Sequence, residues 1–242
     1  MQGIFTNPHE AIAHITESLN CARKEKSNLS DGSDMSKFIL NMFGMSGKKW
    51  RHFLNNLAGI ENVRYAEVGA HTGSTLCSAL YKNKDIKHIS TLDNWSQFAD
   101  EKTREVLIQN VSATANMSGF SQEDLERIKM FEGDFNTFDY TEISPIDIYF
   151  FDGPHDEESQ YQGIVKAFDS FADTSIILVD DWNWGGPKKG TLRALKDLSL
   201  DVNYQCEIFT YPETYDSKTG ALNRFQFSDW HNGVSIFVVT KN

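Results

Sequence analysis

Residues 65–77, YAEVGAHTGSTLC, decide the fold. A short apolar run ends at Val68, Gly69 and Gly73 punctuate the turn that follows, and a helical pattern opens at Gly73 or Ser74. Strand, sharp glycine turn and helix, in that order, form the opening unit of an open α/β sheet, whose ligands lie at the carboxyl ends of the strands. Gly69 and Gly73 let the backbone approach a ligand closely, and the free amides at the helix start can receive a carboxylate. Glu67, just ahead of the turn, can accept from an ammonium group. A dinucleotide site needs G-x-G-x-x-G to seat a pyrophosphate; G-x-x-x-G behind an acid argues against one.

Downstream the strand candidates are VRYAEVG (63–69), HISTLD (88–93), RIKMFEGD (127–134), IDIYFFDG (146–153) and SIILVDDW (175–182), with helical patterns between most of them. This alternation predicts a doubly wound, Rossmann-like α/β domain with a mostly parallel sheet covered on both faces. YQCEIFTYP (204–212) and GVSIFVVTK (233–241) have no helix between them and predict an antiparallel pair at one side. Before residue 60 the pattern is helical over 9–26 and 34–43, with a third helix capped by Ser46 that carries Trp50, Phe53, Leu54 and Leu57 on one face. Ser27–Ser33 reads as a loop. The chain thus divides into an N-terminal helical cap, residues 1–60, and a cofactor-binding domain, residues 61–242. The connection from Glu213 to Asn232 carries Tyr215, Phe225, Phe227 and Trp230; a substrate wall, a subunit contact and a packed surface loop are open readings of it.

At 242 residues and 40% hydrophobic, the chain is long enough for one sizeable core. A formal net charge of −11 argues against a protein built to grip nucleic acid and favours small substrates or proteins as partners. No run approaches the roughly 18 apolar residues of a membrane span. The N-terminus has no secretory pattern, so a cytoplasmic location with no membrane partner is expected. Cys21, Cys77 and Cys206 lie far apart without a C-x-x-C pair and read as reduced thiols. A homo-oligomer is left open.

Two acids follow successive strands. Asp93 ends the second, about 20 residues after the glycine turn, where an acid can bind ribose hydroxyls; Asp134, after the third, is similarly placed for an adenine amino group. The fourth and fifth strands end in FDGPHD (151–156) and VDDW (179–182), which bring Asp152, Asp180 and Asp181 to the same sheet edge. Clustered carboxylates repel unless a cation or proton compensates them, and hard oxygen donors suit Mg²⁺.

The order of landmarks, EVGAHTG (67–73), TLD (91–93) and RIKMFEGD (127–134), resembles class I S-adenosylmethionine-dependent methyltransferases over roughly residues 60–185. The resemblance implies that Glu67, Gly69 and Gly73 contact the methionine part of the cofactor, Asp93 its ribose, and Asp134 its adenine. Asp152 with the Asp180–Asp181 pair resembles the metal site of O-methyltransferases of the catechol and macrolide or aminocoumarin-sugar types. Position 155 matches the place from which catechol-type enzymes present a lysine base, so His155 is the expected general base. DGPH after the fourth strand does not match the motif of DNA amine methylation.

Trp182 and Trp184 are candidates for an acceptor pocket. Lys188, Lys189 and Arg193 are read as a solvated helix face. The expected function is Mg²⁺-assisted O-methylation of a small hydroxylated acceptor such as a sugar or natural product. Metal-independent transfer and a catalytically inactive cofactor-binding regulator are the alternatives, and a nicotinamide oxidoreductase is disfavoured by the missing G-x-G-x-x-G.

Overall fold

The computed structural model describes residues 1–210, 214–215, 222–223 and 229–241. In chain order its elements are α1 (Pro8–Arg23), α2 (Asp34–Asn41), α3 (Lys48–Leu57), β1 (Arg64–Val68), α4 (Ser74–Leu80), β2 (His88–Asp93), α5 (Thr103–Met117), α6 (Gln122–Leu125), β3 (Ile128–Glu132) and β4 (Ile146–Phe151). There follow α7 (Glu157–Ala167), β5 (Phe171–Val179), α8 (Gly185–Asp197), β6 (Asp201–Ile208), the short β7 (Thr214–Tyr215) and β8 (Leu222–Asn223), and β9 (Val234–Thr240). Seven strands form one sheet in the order β3-β2-β1-β4-β5-β9-β6. The first five pair in parallel. β9 runs antiparallel to both β5 and β6, so the expected C-terminal antiparallel pair is present. The strand order reverses between β1 and β4, which places a binding crevice beyond their carboxyl ends.

Successive side chains of a strand point to opposite faces, and strands buried on both faces are apolar throughout. Ile148 and Phe150 of β4, with Ile176 and Leu178 of β5, join one core together with α1, α3, α4 and α5. Tyr149, Phe151, Ile177 and Val179 join the other, under α7 and α8. The sheet is therefore doubly wound. The N-terminal helices are continuous with the first of these cores: Ala11, Ile15 and Leu19 of α1 and Trp50, Phe53, Leu54 and Leu57 of α3 are buried in it. Beside that layer, Arg64 of β1 donates to both carboxylate oxygens of the fully buried Asp147 of β4, at 2.6 Å each.

Helix boundaries follow their caps. Asn7 accepts from the Glu10 amide and Pro8 occupies the first turn, which fixes the start of α1. The helix stops at Arg23, short of the expected 26, and Glu25 adopts a left-handed φ of 53°. α2 ends at Asn41, and Ser27–Ser33 contains one 3₁₀ turn, Asn28–Ser30. Ser46 is not the cap of α3: Gly47 holds that place without a side-chain bond, because the Ser46 hydroxyl accepts instead from Arg51 Nε at 2.9 Å. Among the described residues no helix is long and apolar enough to cross a membrane.

Candidate active site

The carboxyl ends of β1, β2 and β4 open into a cleft, where an open α/β sheet binds its ligands. Its floor is the turn Gly69–His71. Gly69 has φ 93°, and a Cβ there would stand 1.9 Å from the Asp152 carbonyl oxygen, so the two strand ends meet too closely for any other residue. Gly73 adopts φ 90° as the N-cap of α4, packed so that a Cβ would strike Leu107. Leu92, Asp93, Asn94, Gly133 and Phe135 line the cleft from the ends of β2 and β3, Gly44, Met45 and Ser46 from between α2 and α3, Ser74 and Thr75 from the start of α4, and Asp152–His155 from the end of β4.

Asp93 stands at the cleft wall where β2 ends. Its Oδ2 accepts from the His71 amide at 2.8 Å and its Oδ1 from the Trp95 amide at 2.7 Å, which fixes the carboxylate and leaves lone pairs for a ligand. Phe135 and Leu92 beside it offer apolar surface. A flat heterocycle with hydroxyls next to it suits this part of the cleft. Glu67 lies behind the wall, not on it. It is buried, accepting from Tyr65 Oη at 2.8 Å and from Thr75 Oγ1 at 2.6 Å, and Thr75 in turn lines the cleft. Burial pushes the Glu67 carboxyl up to about 7 despite those two hydroxyl donors. Asp134 is exposed, accepts from the Asn136 amide at 2.8 Å and is not among the cleft-lining residues, whereas its neighbours Gly133 and Phe135 are.

On the β4–β5 side, Asp152, His155 and Asp181 each present a ligand atom, all within 4.8 Å of one another. His155 Nδ1 lies 3.1 Å from Asp181 Oδ2, and the ring stands edge-on to Trp184 at 4.9 Å between centroids. Asp181 has a left-handed φ of 51° and its Oδ1 accepts from Asn232 Nδ2 at 2.6 Å. Asp180, expected with Asp152 and Asp181, is not one of that group: it is buried and accepts from the Asp181 amide at 2.9 Å. Asp152 and Asp180 are held well above the usual carboxylate range, first by burial and then by neighbouring carboxylates. His231, buried close enough to feel Asp181 and His155, is pulled below the ordinary histidine value by burial. A group of buried carboxylates at a cleft edge, with imidazole alongside, is a donor set that a divalent cation fits.

The two tryptophans separate. Trp182 is buried in the core under α8, with its Nε1 donating to Glu207 at 2.6 Å, and only Trp184 stands exposed beside His155. Lys188 and Arg193 are occupied on the surface, the first by Glu207 and the second by Glu157 and Glu158. Phe225 and Phe227 lie outside the described residues. His231 and Asn232, at the end of the 213–232 connection, reach the site from the lead-in to β9, and Gly44–Ser46 add a wall from between α2 and α3. No local motif marks either.

Residues 66–182 match the model of a family described as a methyltransferase domain. Among solved structures, a SAM-dependent O-methyltransferase from Thermotoga maritima aligns with a TM-score of 0.56 at 15% identity over 87% of this chain and 72% of the other. An O-methyltransferase from Bacillus cereus in complex with SAH aligns at 0.51 and 17% identity, covering 95% and 91%. A tRNA (m1A58) methyltransferase from Aquifex aeolicus aligns at 0.55 and 10%, covering 87% and 77%. No curated protein matches the sequence.

Proposed function

Since this chain is a class I S-adenosylmethionine-dependent methyltransferase resembling O-methyltransferases, we propose that it transfers the methyl group to a hydroxyl of a small molecule such as a sugar or natural product, with magnesium assistance. The observation that carries this reading is the juxtaposition of His155, Asp181 and Asp152 at the edge of the cleft. The residues lining the cleft support a division of labour. Asp93 receives the ribose hydroxyls, Gly133 and Phe135 flank the adenine with Asp134 just behind them, and Gly69 and Gly73 shape the turn under the methionine portion. Glu67 acts on that portion from behind Thr75.

When bound, the cofactor would supply an electrophilic methyl group, and a divalent cation, which Asp152, Asp180 and Asp181 would hold, would supply positive charge that makes a nearby hydroxyl more acidic. The side chains do the rest. Asp181 holds His155 through Nδ1, which leaves Nε2 to take the acceptor's hydroxyl proton. Trp184 fixes the ring's tilt and limits water on its exposed side. The Gly44–Ser46 wall supports a role for residues 1–60 as a cap over the 61–242 domain. A net charge of −11 favours an uncharged or cationic acceptor over nucleic acid, and a cytoplasmic setting fits such chemistry.

The direct Asp181–His155 contact favours one second reading, in which the pair serves as base without a metal. Transfer of labelled methyl groups to a panel of hydroxylated small molecules, with and without chelator, separates the two. Loss of transfer in chelator and recovery with Mg²⁺ is expected. Full activity in excess chelator, with no metal found by elemental analysis, overturns magnesium assistance and leaves the methyltransferase intact.

A further inference from the structure

Arg51 of α3 is 3% exposed, yet among the described residues no carboxylate pairs with it. Its guanidinium has five N–H groups to satisfy. Nε donates to Ser46 Oγ at 2.9 Å and Nη1 to the Ile39 carbonyl oxygen at 2.6 Å. Both acceptors are neutral, and Nη2 donates to nothing among the described residues. Burial alone draws the group down to about 10. An uncompensated buried cation costs stability, so a fold that keeps one gains by receiving an anion beside it.

The position of Arg51 indicates which anion. Ser46 Oγ lies 3.1 Å from Ser74 Oγ, and both serines line the cleft. Gly44 lines it too, and a Cβ at Gly44 would sit 3.7 Å from Arg51 Nη2 and 2.2 Å from Ser74 Oγ. Nη2 therefore stands directly behind the Gly44–Ser46–Ser74 wall, where the absence of a side chain on Gly44 keeps the way open. Asp93, at the end of β2, repels a carboxylate, and with Phe135 it suits the nucleoside. The one anionic group of S-adenosylmethionine is the carboxylate of its amino-acid portion, which the buried Arg51 beside Gly44, Ser46 and Ser74 is placed to receive.

We propose that Arg51 is the positioning cation for the cofactor's carboxylate, acting through Ser46 and Ser74 and at Gly44. This rests on the cofactor reading and adds to it the residue that distinguishes an amino-acid-bearing nucleoside from a bare one. Arg51 also ties the end of α2 to the cleft through Ile39, so the same contact fastens the loop that covers the cofactor.

The test is calorimetric titration of purified protein with S-adenosylhomocysteine and with 5′-methylthioadenosine, which keeps the nucleoside and lacks the amino-acid portion. Arg51→Gln is expected to weaken S-adenosylhomocysteine at least tenfold and to change 5′-methylthioadenosine by less than about twofold, the size expected when a charge-assisted hydrogen bond is lost. Should circular dichroism show that Arg51→Gln does not fold, Ser46→Ala decides in its place, with a severalfold loss for S-adenosylhomocysteine alone. Equal losses for the two ligands, or none, would overturn the role of Arg51 while the cofactor reading stands. A folded wild-type protein that binds neither ligand would overturn both.

Discussion

At the ends of β1 and β2 the carboxylates are met by donors from the protein, Glu67 by two hydroxyls and Asp93 by two backbone amides. At the ends of β4 and β5 the carboxylates are crowded instead: Asp181 is met by Asn232 and His155 and Asp180 by the Asp181 amide, yet Asp152 and Asp180 are pushed well up by burial and by the neighbouring carboxylates. Both halves sit on the same sheet edge and are built by the same strand-to-loop transitions, so topology is not what separates them. The first half is complete as folded and ready to hold hydroxyls. The second carries an unbalanced charge that burial makes worse, and a bound cation or a transferred proton relieves it. On the proposed reading, recognition falls where the electrostatics are settled and reactivity where they are not.

The largest effect that tests this contrast falls on His155. His155→Ala is expected to lower the single-turnover methyl-transfer rate by about 10²- to 10⁴-fold, the range for loss of a general base, while S-adenosylhomocysteine affinity stays within about twofold. A rate equal to the parent's would make His155 a structural neighbour of Asp181 and leave the second half of the cleft with no base.

Asp93 comes next and probes the other half. Asp93→Ala removes a charged acceptor from the ribose position, so S-adenosylhomocysteine should bind about 10- to 100-fold more weakly by calorimetry, corresponding to roughly 1.5–3 kcal/mol for a hydrogen bond to a charged group. Because its carboxylate also anchors the His71 and Trp95 amides, Asp93→Asn is the sharper control: it retains one acceptor oxygen and should recover part of the loss. Unchanged affinity in both variants would remove Asp93 from the ribose role.

What the sequence made legible follows periodicity and strand ends. Near-continuous apolar runs marked β4 and β5 because both faces of those strands are buried, and the acids that follow were visible at the end of each run. Side-chain direction past a strand end was not visible. Asp93 and Asp134 look equivalent in sequence, yet Asp93 turns back onto the His71 amide while Asp134 folds onto its own loop through Asn136, and only the former reaches the cleft. Ser46 carries the residue type of a helix cap, and only the tertiary position of Arg51 explains why it does something else. Asn232 lies 51 residues from the Asp181 it holds, and no local pattern announces a contact at that separation.

Glu67 gives a smaller effect with a definite sign. Its folded-state carboxyl is raised by burial to about 7 from an ordinary value of 4.5, so its contribution to stability is fully present below 4.5 and is lost as pH rises through about 7. Glu67→Gln should therefore match the parent near pH 4 and exceed it at pH 8 in thermal or urea unfolding of the ligand-free protein. The gain at pH 8 should be on the order of 1 kcal/mol once the weaker hydroxyl contacts of the amide are set against the full shift. A variant less stable than the parent at pH 8 would mean that Tyr65 and Thr75 hold a carboxylate that the fold prefers charged. The first half of the cleft would then be settled more completely than its burial suggests.

The smallest effect concerns the cations nearest the acceptor side. Lys188 donates to Glu207 at 2.6 Å, with its ammonium 5.4 Å from the Trp182 ring centroid and 5.2 Å from that of Phe209. Both partners of the ion pair are part-exposed, so water screens it and its worth is well under about 1 kcal/mol. Glu207, held below the usual carboxylate range first by Lys188, favours the fold above its ordinary value and loses that contribution as pH falls. Lys188→Met should therefore leave unfolding at neutral pH almost unchanged and flatten the acid-side decline slightly, while the Trp182 Nε1 bond keeps Glu207 in place. The acceptor's KM should stay within about twofold. A tenfold rise in KM with kcat preserved would show that Lys188 leaves Glu207 to meet an anionic acceptor, and the charge at the β4–β5 edge would then be balanced in part by a side chain that the fold already supplies.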